Sequence, residues 1–326
     1  MQVIEIPSHR ARPTLALAPM APVSKASQAK SSRVARVEPV TGVLGRVGTW
    51  ELVRIIGQGH LAIVYQARPV GGASDRPAGY AVKMLRAEWQ DDARGLATLA
   101  REVQVSRRVV SPHLVPILAA QLESHPYFTV MPLLSGGTLA GRLAQQVPCD
   151  LSVAFWICRQ VAQALATLDA SGWAHTDVKP SNIFVSPSGH VTLIDLGFAH
   201  ATGEVASAAE RPVMGTMQYL APEMIYSAEG GDIRSDVYSL GVTLFEILTG
   251  HLPFDADNVA ELARQHRQEL PADLRGLVPH VPTRATRLVQ RMLAKDPLRR
   301  PSPIELVDRL AALEIETFAE RHWVAA

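Results

Sequence analysis

Apolar and polar positions along this chain follow two periods, and the change from one to the other marks out its elements. Residues 1–48, rich in Pro, Ala, Ser and Arg, hold neither period for more than a few residues. From Trp50 the run Trp50-Glu51-Leu52-Val53-Arg54-Ile55-Ile56 reads as a strand. Tyr80-Ala81-Val82-Lys83-Met84-Leu85 and Tyr127-Phe128-Thr129-Val130-Met131 read as two more, the first preceded by a loop over 69–79. The spacing predicts a helix over about 92–109, with Leu99, Val103 and Val105 on its apolar side and Ser111-Pro112 as its stop. A longer helix is expected after Asp150 as N-cap, with Val153, Trp156, Val161, Leu165 and Leu168 at i, i+3/i+4 spacing. Trp156 and Cys158 are read as core residues of that helix. Ile183-Phe184-Val185 and Val191-Thr192-Leu193-Ile194, separated by Pro187-Ser188-Gly189, predict a β-hairpin.

Composition adds a boundary. At 326 residues, 47% hydrophobic and 19% charged, the chain is globular and long enough for one large core or two smaller ones. Charged residues such as Arg159, Asp169 and Glu246 interrupt every long apolar stretch, so no membrane span is expected. The N-terminus lacks a compact apolar run before a small-residue cleavage site, so no secretory signal is expected either. Cys149 and Cys158 are the only cysteines and form no metal or redox motif, which points to a reducing cytoplasm. The eleven histidines show no zinc-site spacing.

The net charge of +1 conceals a division: residues 1–48 carry +5 and the remainder −4. A solvated tail is the preferred reading of 1–48, and a basic arm for an acidic partner is the alternative, with nucleic acid less favoured. Only five lysines occur, at 25, 30, 83, 179 and 295, an Arg bias that suggests a bacterial genome.

Against that background the chemistry concentrates between His175 and Gly197. The expected hairpin would hold Asp177, Asn182 and Asp195 in a fixed relation, Asp177 as a free carboxylate on a loop and the other two as hard oxygen donors for a cation such as Mg²⁺. Lys83 sits in an apolar strand, where an unpaired charge is costly, so it needs an anionic partner. Glu102 is the one acid of its helix beyond Asp92 and is the candidate.

His175-Thr176-Asp177-Val178…Asn182 and Asp195-Leu196-Gly197 closely resemble the catalytic loop H-R-D-L-x-x-x-N and the D-F-G metal loop of the protein kinases. Gly57-Gln58-Gly59-His60-Leu61-Ala62-Ile63-Val64 resembles their Gly-rich phosphate loop, with Ala62 for the third glycine. Ala81-Val82-Lys83 resembles the V-A-I-K strand, and 214–223 the segment that ends in Ala-Pro-Glu. Asp236 matches the start of the central helix of the larger lobe, and Arg300 the arginine that pairs with the Ala-Pro-Glu glutamate, here Glu223.

The resemblance implies an α+β, two-lobed protein-kinase fold: an antiparallel β N-lobe with one helix over about 49–131, and a mainly helical C-lobe over about 135–313. Residues 314–326 are left as a C-terminal extension. It further implies transfer of the γ-phosphoryl group of ATP to Ser/Thr hydroxyls of protein substrates, with Mg²⁺ or alternatively Mn²⁺. Asp177, Lys179 and Lys83 would be catalytic, with Asn182 and Asp195 binding metal. Gly57, Gly59, Val64, Ala81, Lys83, Glu102, Met131 (the gatekeeper), Leu133 and Leu134 would surround the nucleotide. Pro132 has no N–H, so adenine would use neighbouring carbonyls and the Leu134 N–H.

Two departures stand out. Ala62 is expected to stiffen the phosphate loop slightly. Thr176 replaces the arginine that usually meets an activation-segment phosphate, which puts phosphate-driven ordering in doubt. Competing expectations are a pseudokinase scaffold, opposed by the presence of Lys83, Asp177, Asn182 and Asp195, and a small-molecule phosphotransferase, opposed by the Ala-Pro-Glu segment.

Overall fold

The computed structural model describes residues 44–71, 78–145, 149–204, 217–226 and 231–324. Six strands build the first sheet: β1 (Gly45–Val47), β2 (Trp50–Gln58), β3 (Ala62–Pro69), β4 (Tyr80–Leu85), β5 (Ala119–Gln121) and β6 (Phe128–Pro132). They run antiparallel in the order β1-β2-β3-β4-β6-β5. Strand alternation gathers Val47, Leu52, Ala67, Val82, Phe128 and Val130 into a small core. A short α1 (Ala87–Gln90) leads into α2 (Ala93–Arg108), where the Asp92 side chain caps the helix by accepting from the Arg94 N–H at 2.9 Å.

Strand β1 lies inside the stretch read as tail. Three residues carry no legible period. Tertiary contacts fix them instead: Val47 is 3% exposed, and Glu51 accepts from both Arg46 and Arg68 at 2.9 Å. The ordered lobe therefore starts before Trp50.

The larger lobe holds β7 (Gly137–Thr138), α3 (Leu139–Leu143), α4 (Leu151–Ala170), β8 (Trp173–Ala174), β9 (Ile183–Val185), β10 (Val191–Leu193) and β11 (His200–Ala201). After these come α5 (Pro222–Tyr226), α6 (Ile233–Thr249), α7 (Val259–Gln268), α8 (Leu274–Leu277), α9 (Thr283–Met292) and α10 (Pro303–Val324). The expected hairpin is β9 paired antiparallel with β10, and Gly189 turns it at φ 84°.

Helix α4 is the centre of this lobe's core. It is long and apolar enough to cross a membrane, and 61% of its most apolar window is buried here among other helices. Phe155, Cys158, Val161, Leu165 and Leu168 are fully buried, so the expectation for Cys158 holds. Trp156 is 39% exposed, against expectation. Trp156 shares a helical stripe with Arg159, Gln163 and Thr167, none of them fully buried, and that polar stripe marks the outer edge of α4. The Trp156 indole N–H donates to Gly189 O at 2.9 Å under the Arg159 guanidinium. Asp150 stands at the N-cap without a side-chain capping hydrogen bond.

Helix α10 runs unbroken through residue 314, where an extension had been expected to begin. It is part of the packed lobe: Leu306, Leu310 and Leu313 are buried, and Arg159 of α4 donates to Glu314 at 2.8 Å.

Candidate active site

Lys83 leaves β4 and meets two carboxylates at once. Its Nζ donates to Glu102 Oε2 at 3.2 Å and to Asp195 Oδ1 at 2.8 Å. Glu102 on α2 is 1% exposed. Burial opposes the charge on Lys83, but the two carboxylates outweigh it and raise the lysine pKa. Burial likewise opposes ionisation of Asp195, and the charge and hydrogen bond of Lys83 overcome it, holding Asp195 below its ordinary value. Glu102 is pushed up by its own burial and by the neighbouring Asp195, with Lys83 pulling the other way. Three groups that lie far apart in sequence thus form one charge cluster.

Asp195 itself adopts φ 69°, and a Cβ at Gly197 would stand 2.5 Å from Thr98 Cγ2 on α2. A side chain there would force Thr98 to shift, because the turn after Asp195 presses directly against the helix that carries Glu102.

The loop before β9 is equally constrained. Asp177 was expected to be free, but both of its carboxylate oxygens are engaged. Oδ1 accepts from Lys179 Nζ at 2.8 Å and Oδ2 from Asn182 Nδ2 at 2.8 Å. Asn182 also donates to the Asp177 carbonyl at 2.9 Å. Burial pushes the Asp177 pKa up against the pull of Lys179. His175 is fully buried and its pKa falls to about 4, so the ring is neutral at pH 7. Its Nδ1 accepts from the Asp177 N–H at 3.3 Å, which leaves Nε2–H to donate to Ile194 O at 3.2 Å.

The Ile194 N–H donates to Asn182 O at 2.9 Å, so the hairpin brings Asn182 and Asp195 together. These residues suit a hard divalent cation. The Asn182 amide nitrogen is committed to Asp177, which leaves its oxygen as the donor atom, and Asp195 is held ionised with Oδ1 on Lys83. Asn182 and Asp195 would hold such an ion, and among the described residues no group of three or more His, Cys, Asp or Glu is placed to do so.

The residues expected to surround the nucleotide come in part from the first sheet. Val64 lies across from Lys83 and Gly57, and Ala81 across from Met131. The period of two puts Val64, Ala81, Lys83 and Met131 on one face of the sheet. Gly59 N–H donates to Ala62 O at 2.8 Å and closes the β2–β3 turn. Ala62 is the first residue of β3, 6% exposed and paired with Leu85. The period of two puts it on the same face as Val64 and Lys83, where its side chain is buried. At the exit of β6, the Leu133 N–H donates to Gly79 O at 3.0 Å, and Leu134 supplies the next N–H along.

Two structural expectations are met. Buried Asp236 accepts from the His175 N–H at 2.6 Å and the Thr176 N–H at 2.7 Å, which anchors the loop backbone. Arg300 grips Glu223 with both terminal nitrogens, at 2.6 and 2.8 Å.

Two features had no signal in the sequence. Thr176 adopts φ 62°, rare for a β-branched residue, and its hydroxyl donates to Phe198 O at 2.5 Å. Arg86 reaches across to the β2–β3 turn and donates to Gly59 O at 2.7 Å. Ser207, Arg211 and Thr216 lie outside the described residues.

The sequence model of the protein kinase domain matches residues 50–310. Serine/threonine-protein kinase PrkC of Bacillus subtilis (strain 168) is 31% identical over 255 residues, covering 78% of this chain and 38% of the relative. The probable serine/threonine-protein kinase PknB of Lactococcus lactis subsp. lactis (strain IL1403) is 32% identical over 257 residues, 78% of this chain and 40% of the relative. CBL-interacting protein kinase 4 of Oryza sativa subsp. japonica is 34% identical over 271 residues, 82% of this chain and 57% of the relative. The chain thus spans well under half the length of the bacterial relatives just named. The match reaches from β2 into α10, through every loop that carries the charge cluster, and the chain belongs to the protein kinase domain family.

Proposed function

We propose that this chain transfers the γ-phosphoryl group of ATP to Ser/Thr hydroxyls of protein substrates, with Mg²⁺ as the divalent ion. The observation that carries the reading is one ammonium, Lys83, shared by Glu102 at 3.2 Å and Asp195 at 2.8 Å. A lysine held cationic at that point can grip the α- and β-phosphates, and Glu102 fixes its position. A divalent ion bound by Asn182 and Asp195 would neutralise phosphate charge. Asp177 orients the acceptor hydroxyl and takes its proton, and Lys179, 2.8 Å from that carboxylate, balances the charge that develops.

The Pro132 carbonyl and the Leu134 N–H are the groups suited to adenine. The bacterial relatives are named serine/threonine-protein kinases, which favours Ser/Thr as acceptor. Two unpaired thiols, one of them buried, fit a reducing compartment such as the cytoplasm. The net +5 of residues 1–48 suits an acidic partner.

The test is incubation with γ-labelled ATP, Mg²⁺ or Mn²⁺, and a generic protein substrate, followed by phosphoamino-acid analysis. Label is expected on Ser and Thr, with Mg²⁺ at least as effective as Mn²⁺, and none after chelation. Label found only in ATP or free phosphate would sink the proposal, and label on Tyr alone would overturn the acceptor assignment.

A further inference from the structure

The residue before Asp177 is Thr176, which offers no cation to an activation-segment phosphate. The segment after Asp195 is nevertheless tied down through residue 204. The Thr176 hydroxyl holds Phe198 O, strand β11 pairs with β8, and the Thr202 N–H donates to Gly172 O at 2.8 Å.

Glu204 completes the arrangement. Its Oε2 accepts from the Ala201 N–H at 3.0 Å and from Arg101 Nη1 at 2.9 Å, and its Oε1 accepts from Arg101 Nη2. The Arg101 guanidinium lies over the Trp173 ring, 5.5 Å from its centroid. Arg101 immediately precedes Glu102 on α2. A planar fork seated on a ring and closed on both oxygens of one carboxylate fixes orientation as well as distance. An outward swing of α2 would have to break Arg101–Glu204 along with Lys83–Glu102.

We infer that Arg101 and Glu204 form a latch that holds α2 in register for the Lys83–Glu102 pair with no phosphate on the segment, so that the chain is active as translated. Both act through Glu102 and are positioning residues. The inference rests on the phosphotransfer reading above, but the latch can be measured without turnover.

The experiment compares wild type, Arg101→Ala, Glu204→Ala and the double variant. Each single change is expected to lower kcat at least tenfold, with KM for ATP within about threefold and the thermal midpoint within about 4 °C. The double variant should fall no further than the worse single one, the signature of one shared interaction. In nucleotide-free protein, amide exchange across residues 93–108 should quicken in all three variants. Wild-type kcat should change less than about threefold after phosphatase treatment that mass spectrometry shows to be complete.

Losses that multiply in the double variant would overturn the latch, as would unchanged exchange in α2. A hundredfold fall after dephosphorylation would overturn the claim of phosphate independence. If wild type transfers no phosphate at all, the proposed function fails, and exchange in α2 still decides the latch.

Discussion

Asp177 shows how far one side chain's chemistry depends on its neighbours. Its two oxygens are held by Lys179 and Asn182, and burial lifts its pKa above the ordinary aspartate value. In the base role proposed for it, Asp177 must be anionic to accept a proton, so falling pH is expected to remove activity as it protonates. With the pKa raised, that acid limb begins at a higher pH than for an exposed aspartate. Asp177→Asn should lower kcat by roughly 10²–10⁴, about 3–5 kcal/mol, and leave ATP affinity near wild type. Asp195→Asn should also weaken Mg·ATP binding, because it removes the carboxylate proposed to bind the metal and one of the two counter-charges of Lys83. Steady-state kinetics and nucleotide titration of both variants check this, and full activity in either refutes the role given to that residue.

At the scale of elements, the Arg300–Glu223 pair joins α5 to α6 and to the turn before α10. The Arg300 side chain is fully buried, and it also donates to the carbonyls of Ala294 and Arg234, each at 2.9 Å. A buried ion pair is weak evidence of net stabilisation, because desolvation offsets the attraction. Removing one partner is different, since it strands the other. Arg300→Ala should cost about 3–5 kcal/mol in urea unfolding, and Arg300→Lys should not restore it, because an ammonium cannot reproduce the fork.

Burial raises the Glu223 pKa, but Arg300 more than compensates and holds it below the ordinary value. The stabilisation from this pair is therefore present above the unfolded-state glutamate pKa and is lost as pH falls through the lower folded-state value. Arg300→Ala should remove that part of the acid dependence. An unfolding free energy equal to wild type would contradict the assignment.

For the molecule as a whole, the question is where the folded lobe begins. Val47 is buried, and Arg46 and Arg68 converge on Glu51 across three strands. Deleting residues 1–43 should leave kcat and the unfolding midpoint unchanged. Deleting 1–49 removes β1 and the burial of Val47, and should cost about 1–3 kcal/mol. Equal stability of the two truncations would show β1 to be dispensable. A loss of peptide phosphorylation with the shorter deletion, relieved or worsened by salt, would instead assign the tail's positive charge to substrate capture.

The sequence by itself determined the elements whose signal is local. Alternation located β2, β4 and β6, a helical period located α2 around Glu102, and a Pro-Ser-Gly turn located the β9–β10 hairpin that joins Asn182 to Asp195. Lysine in an apolar strand demanded a counter-charge, and Glu102, the one acid of its helix beyond Asp92, was the candidate, whereas the second partner, Asp195, was not anticipated. Tertiary structure decided what depends on desolvation and on partners distant in the chain. Strand β1 is too short to show a period, and α10 continues past 314 because its apolar side packs on α4. Trp156 faces outward on the polar stripe of Arg159, Gln163 and Thr167, which helical spacing alone could have shown and which its bulk and apolarity outweighed in the sequence-based expectation. Thr176 can hold a left-handed backbone only because Asp236 and Phe198 receive its N–H and hydroxyl. Arg101 meets Glu204 only after the sheets and α2 have assembled, since a salt bridge across 103 positions leaves no trace in either residue's neighbourhood.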